Sequence, residues 1–541
     1  MSESLGTLPN NPTETTVSAH MILHNGKVLT VDKDFAIAEA IAIRDGKFFA
    51  VGSNNEVKMH ASPETELIDL AGRTVTPGLI DAHCHPLGLG MNALASIQIG
   101  AVHTKEALLK ELKEKTAKVP PGEWITTNRN WPAFHLRGED LPTLADLDAT
   151  MPDNPLSLPY GHAELCNSLA MQVAGITKAT LDPEGGTIVR DPVTGEPTGR
   201  LEENATRLVT RFLPSPPPPV DCAKVAQSFY NSLGVTAVQE DNYDPIAWLT
   251  LKASDELTLR YGWSEMVDPG LSVEAIFTLI HAISGAGLPG ICGLGDEMLR
   301  LRGLVFQNES LWPYPGAPMW NRDKLLQVCL EAAKCKIQVR QHCEAGMIPD
   351  NLDILVEVDN RYPIKDLRWA IGHQRWPNKE HIRIQKELGC VVNQEIAFAV
   401  LSIPTLERER RRFLPLEENR LFCPVPLWLE AGVPVCLTTD GGGACTPDAL
   451  SIWACVWVAT NRHLFPEFDP QFSITREDAL RAITNGGAYW MGMEDKLGSI
   501  EVGKLADLAV LSADPMTCPD EELKDTKALM TIVGGRIVYQ R

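Results

Sequence analysis

Two histidines separated by one residue close the stretch TVTPGLIDAHCHPLG, Thr74 to Gly88. The apolar run Gly78-Leu79-Ile80 reads as a buried strand, and alternation along it points His83 and His85 the same way while Cys84 faces the other. Neutral imidazole is the commonest metal ligand, and two rings on one strand keep their mutual geometry without relying on a flexible loop. Three further donors close similar apolar stretches: His342 in KIQVRQHCE, His373 in LRWAIGHQ and Asp440 in VPVCLTTDG. A single interior histidine is ordinary packing; four at strand ends together with an aspartate are a ligand set. Nitrogen and oxygen donors in this mix suit Zn2+ best, with Mn2+, Fe2+ and Co2+ as alternatives.

Such residues need a scaffold that brings strand ends together. Eight candidate strands can be counted: LIDAHCH, GVTAVQE (Gly234 to Glu240), Leu257 to Glu265, Leu301 to Gln307, Lys336 to Glu344, Leu367 to Gln374, Cys390 to Ile396 and Val433 to Gly441. Amphipathic stretches such as Arg322 to Lys334, Pro349 to Arg361 and Lys379 to Leu388 separate them, which predicts an α/β fold of the (β/α)8, TIM-like barrel kind. An open doubly wound sheet would carry a Gly-rich phosphate turn after an early strand, and none is present. In a closed parallel barrel the C-terminal strand ends share one mouth, so His83, His85, His342, His373 and Asp440 converge there.

The barrel is assigned residues 77–98 plus 221–491. Alternating segments with Asn25-Gly26, Asp45-Gly46 and Gly534-Gly535 turns mark residues 19–76 and 492–541, too small to stand separately, as one composite β-sandwich domain built from both termini. The interval 99–220, closed by a proline-rich spacer, is too long for a crossover and reads as a subdomain inserted after the first barrel strand, placed to roof the mouth. Residues 1–18 are polar, lack a secretory pattern and are expected to be a disordered tail of a cytoplasmic protein.

The 49 Lys plus Arg against 70 Asp plus Glu give a net charge of −21, which argues against nucleic acid or an anionic membrane as partner. No apolar run approaches the roughly 20 residues of a membrane span. A small-molecule substrate is the expected partner, and assembly into a homo-oligomer is left open. The thirteen cysteines are scattered without a CxxC pair and are expected to be reduced and mostly buried.

Taken together, PGLIDAHCHPLG, GHAELCNSLA (Gly161 to Ala170), DPEGGTIVRDPVTGEPTGRLEENA, GVTAVQE, VRQHCEAG, AIGHQ, TTDGG and LGSIEVGKLADLAVL resemble the amidohydrolase superfamily, within it the YtcJ-like group, over nearly the whole chain. The resemblance implies that His83 and His85 hold the more buried metal, that His342 and His373 hold a second or shared position, and that Asp440 touches metal and acts as general base. It implies a divalent metal, Zn2+ first, one or two per chain. His162 and Asn167, in the GHxxxxNS segment, and Trp131 match family positions in the insert and are expected to contact substrate or to hold the insert together; Glu203 shares that status. One departure bears on the metal count: many relatives carry a bridging carboxylated lysine on strand four, where this chain has Leu304, with Asn308 and Glu309 following, and no lysine occurs from Ala253 to Asp323. That favours a single-metal site or a different bridge, for which Glu240 is the available carboxylate. Trp312, Trp320 and Trp376 are candidates for an apolar substrate wall, and the charged run Glu407 to Arg412 for a solvated face or a carboxylate clamp. The expected activity is hydrolysis of a C–N bond in a small, partly apolar amide, formamide or cyclic amide; alternatives are an esterase or decarboxylase on the same barrel, or a non-catalytic binding protein.

Overall fold

A computed structural model of the chain describes residues 18–95, 97–100, 102, 104–131, 141–161, 163–183, 185–241, 245–285, 294–308, 319–343, 347–402, 421–442, 445–465 and 468–541. Eight parallel strands follow one another in chain order around a nearly closed barrel: β1 (Leu79–Cys84), β2 (Val235–Asp241), β3 (Arg260–Met266), β4 (Leu299–Gln307), β5 (Gln338–His342), β6 (Ala370–Gly372), β7 (Val391–Gln394) and β8 (Val435–Leu437). All eight coincide with the strands expected from the sequence, with ends shifted by a few residues. The shift at β2 matters, because it carries the strand one residue further, to Asp241. Both β1 and β2 are buried at every position, as strands covered on two faces must be.

No ladder pairs β8 with β1, yet backbone bonds between their C-terminal extensions close the ring. The Asp440 amide donates to the His83 carbonyl at 3.0 Å, and the His85 amide donates to the Gly441 carbonyl at 2.6 Å. Deeper in, Asp81 of β1 accepts from the Thr438 and Thr439 hydroxyls and from the Thr439 amide. The last ring contact is thus made by residues directly beside the site.

Helices α1 (Pro86–Leu94), α2 (Pro219–Ser232), α3 (Ile246–Ala253), α4 (Val273–Gly285), α5 (Arg322–Lys334), α6 (Ile348–Asp359), α7 (Lys379–Leu388) and α8 (Val425–Ala431) cover the strands. Helix α7 begins where the Asn378 side chain accepts from the His381 amide, and it buries Ile382, Gln385 and Leu388 on one face. Helices α1 and α2 lie side by side, so the chain leaves and re-enters the barrel at neighbouring points. Between them, the strands Gly186–Arg190, Pro197–Glu203, Ala163–Cys166, Leu156–Tyr160 and Ile125–Thr126 form a separate five-stranded sheet, in that order.

The terminal segments form two more sheets. One joins Lys47–Gly52, Ala40–Arg44, Met21–His24 and Glu66–Asp69; the other joins Arg536–Gln540, Ala528–Val533, Leu508–Leu511, Thr74–Pro77, Lys27–Leu29 and Ile37–Ala38. A single apolar cluster that includes Leu23, Ile41, Val75, Leu508 and Ile532 draws on both sheets and both ends of the chain. Almost all of the expected tail lies outside the described residues. The described cysteines are all free, and no helix among the described residues is long and apolar enough to cross a membrane.

Candidate metal centre

The histidines and aspartate singled out by spacing meet at the barrel mouth. His83 and His85 lie at the end of β1, and their Nε2 atoms stand 3.3 and 3.2 Å from Asp440 Oδ1. A tetrahedral ion with ligands at about 2.0–2.2 Å separates its ligand atoms by about 3.3–3.6 Å, so this donor set fits a divalent cation. His342 closes β5 and His373 follows β6; with His83 they form a second potential ligand group, and in each group the ligand atoms lie within 4.8 Å of one another. The His83 side chain is fully buried, whereas those of His85 and Asp440 are 18% and 12% exposed, so the first group faces the mouth. Both His373 and Asp440 have left-handed backbones, φ +58° and +56°, an uncommon conformation for residues with a side chain and one that collects at functional sites.

Burial opposes charge on the Asp440 carboxyl, but hydrogen bonds from His83 and His85 outweigh it and hold its pKa well below the usual carboxylate range. On His83, burial and the Arg340 guanidinium oppose protonation, yet the Asp241 and Asp440 carboxylates push its pKa up to about 9. This concentration of negative charge around one imidazole is what a cation site provides.

Four buried groups here were not foreseen. Asp241 Oδ2 lies 3.1 Å from His83 Nδ1 and 2.9 Å from His342 Nε2, and it pairs with the Arg340 guanidinium. Arg340 also reaches Glu395 at 3.2 Å, and Glu395 in turn pairs with Arg375 at 3.2 Å and accepts from the His373 amide. An aspartate beside one ring nitrogen orients the other, so His83 turns Nε2 toward Asp440, the arrangement that a ligating histidine would need. Alternation along β5 already places Arg340 on the face of His342, two residues away, and could have revealed it.

Glu240, the acid considered as a bridge, turns elsewhere. Its carboxyl accepts from the Tyr261 hydroxyl at 2.6 Å and bonds the Leu87 backbone in α1; its neighbour Asp241 is the carboxylate that meets the histidines. The single-residue extension of β2 accounts for the exchange, since adjacent strand residues face opposite ways. Leu304 is fully buried in the apolar core and supplies no donor. Asn308 is occupied by Asn351 and the Trp320 amide.

In the insert, Asn167 accepts from the Leu156 and Ala170 amides and donates to the Met151 and Asn154 carbonyls, filling its hydrogen-bonding capacity with backbone. The Trp131 indole donates to the Pro159 carbonyl at 2.7 Å inside the insert's core. Among the described residues neither makes a hydrogen bond to the histidine cluster, and each makes hydrogen bonds within the insert. Glu203 ends an insert strand with φ +50°. Trp320 packs edge-on to Phe306 and Trp376 lies against Phe422, both buried. His162, Glu309, Trp312 and the charged run Glu407 to Arg412 lie outside the described residues.

Comparison with known proteins bears on the family and the fold. The sequence model described as Amidohydrolase family matches residues 66–539. YtcJ of Bacillus subtilis strain 168 is 36% identical over 559 residues, covering 96% of this chain and 99% of that protein. The N-substituted formamide deformylase of Arthrobacter pascens is 27% identical over 561 residues, covering 96% and 98%. An uncharacterized metal-dependent hydrolase from Pyrococcus furiosus shares the fold, with TM-score 0.66 at 21% identity over 92% of this chain and 100% of that one.

Proposed function

The chain belongs to the amidohydrolase family, and from that premise we propose that it hydrolyses a C–N bond in a small, partly apolar amide, formamide or cyclic amide, with Asp440 as general base. The observation that carries the reading is the approach of His83, His85 and Asp440 at the exposed edge of an otherwise buried cluster. His83, His85 and Asp440 would hold a divalent ion there, which would supply an acidified water, its pKa lowered toward about 7, and a Lewis acid for a carbonyl oxygen. Zn2+ is the ion this donor set suits best.

The chain's own residues have distinct tasks. His83 presents Nε2 while its Nδ1 is held by Asp241, and His85 completes the pair from the mouth side. Asp440 is held ionised, as a ligand and proton acceptor must be. As water adds to the carbonyl carbon its proton passes to Asp440, and as the C–N bond breaks that proton goes to the departing nitrogen, giving a carboxylic acid and an amine. His342 and His373 line the inner side of the same space.

The test is metal content by elemental analysis, combined with hydrolysis of N-formyl, N-acyl, cyclic amide and ester compounds before and after chelation. Hydrolysis lost on chelation and restored by Zn2+ is expected. Asp440→Asn is expected to lower kcat by about 10²–10⁴-fold while metal stays bound. Undiminished turnover in that variant overturns the general-base role, and turnover unaffected by complete metal removal overturns the mechanism.

A further inference from the structure

We propose that Arg340 takes the place of a second metal ion: its guanidinium sits between His83 and His342, so the centre holds one divalent ion, at His83, His85 and Asp440. This rests on the metal-dependent reading above and adds the stoichiometry and the residue that sets it.

Arg340 Nη1 lies 2.8 Å from His83 Nδ1 and 2.6 Å from His342 Nε2, and it is paired with Asp241. His342 belongs with His83 and His373 to the second potential ligand group, and Arg340 Nη1 occupies the space beside its Nε2. A guanidinium offers N–H donors and no acceptor, so it fills this space without serving as a ligand. His83 meets Arg340 and Asp241 through Nδ1, so the nitrogen it turns toward Asp440 is Nε2.

The position is built for the side chain. Arg340 is buried; its Nε donates to Asn393 Oδ1 at 3.2 Å, and Nη2 pairs with Glu395 at 3.2 Å. Gly372 leaves the room it needs: a Cβ at that position of β6 would collide with Nη2. On β4, Leu304 offers nothing that could bridge two ions. Arg340 therefore acts as a positioning residue, bringing a fixed positive charge to the inner side of the cluster and holding His83 and Asp241 in register, without reaching the mouth.

The experiment counts ions per chain by elemental analysis after reconstitution with excess Zn2+ and removal of unbound metal, in the full chain and in R340K, R340M and H342A. One ion is expected in the unaltered protein, in R340K, which keeps the charge, and in H342A. Two are expected in R340M, where Asp241 and His342 lose the cation between them. Should R340M not fold, H342A decides: two ions in the unaltered protein falling to one in H342A would overturn the assignment and leave the hydrolase reading intact. No bound ion in the unaltered protein would overturn both. One ion without hydrolysis of any amide or ester would support the Arg340 assignment and overturn the proposed function.

Discussion

Glu240 and Asp241 are neighbours in β2 with the same chemistry and opposite surroundings. Burial raises the Glu240 pKa to about 8 even though the Tyr261 hydroxyl lowers it, while the Arg340 guanidinium and the two histidines overcome burial at Asp241 and hold it well below the carboxylate range. The folded metal-free protein therefore keeps the Glu240 proton up to about pH 8, whereas the unfolded chain releases it near 4.3. Across that window the folded state binds more protons, so this group makes stability fall as pH rises. Glu240→Gln, which cannot ionise, is expected to stabilise the chelated protein more at pH 8.5 than at pH 5.5, read as the difference in Tm shift between the two. An equal shift at both would show that the carboxyl ionises freely in the fold. At this scale, what the sequence disclosed were donors that end apolar runs, because period-two alternation aims them. It hid Asp241 behind a strand end misplaced by one residue. Nor did it single out Arg340, although alternation puts it on the His342 face, or Glu395, which lies one residue past β7 and is known only through its partners.

Among elements, the loop after β8 sets the aim of Asp440. Gly442 has φ +107°, and a Cβ there would run into the His85 carbonyl; its own carbonyl accepts from Asn92 Nδ2 of α1 at 3.1 Å. Asn92 Oδ1 in turn accepts from the Arg129 amide of the insert. One side chain thus ties the β8 loop, the first helix and the insert together. Gly442→Ala must push the β8 loop off β1, and a misplacement near 1 Å at Asp440 is expected to lower kcat/KM about 100-fold, with a cost of about 1–3 kcal/mol in stability. Kinetics and denaturant midpoints on the same preparation check both; full activity would show that the loop does not hold Asp440. The eight strands were legible because a parallel barrel buries each on both faces and writes it as an apolar run. The hydrogen bonds of Trp131 and Asn167 were not, because a family position in an insert can serve substrate and scaffold alike.

Across the whole molecule, the barrel and the terminal sheets are joined by a buried bidentate pair. Arg260 Nε and Nη2 of β3 each lie 2.8 Å from Asp507, which also accepts from the Gly534 amide. Removing one partner of a buried pair strands the other charge, so Asp507→Ala is expected to cost about 3–5 kcal/mol of unfolding free energy in urea, with metal content unchanged in the protein that remains folded. The terminal sheet has a further consequence, for the order in which the molecule can be made. Thr74–Pro77 pairs on one side with Lys27–Leu29 and on the other with Leu508–Leu511, which a ribosome adds more than four hundred residues later. At about 5–20 residues per second that edge stays open for roughly 20–90 s, a bare strand awaiting its partner while the barrel is still being synthesised. Completion of this sheet is therefore a post-translational event, and nascent chains stalled inside the barrel expose the edge that the finished protein hides.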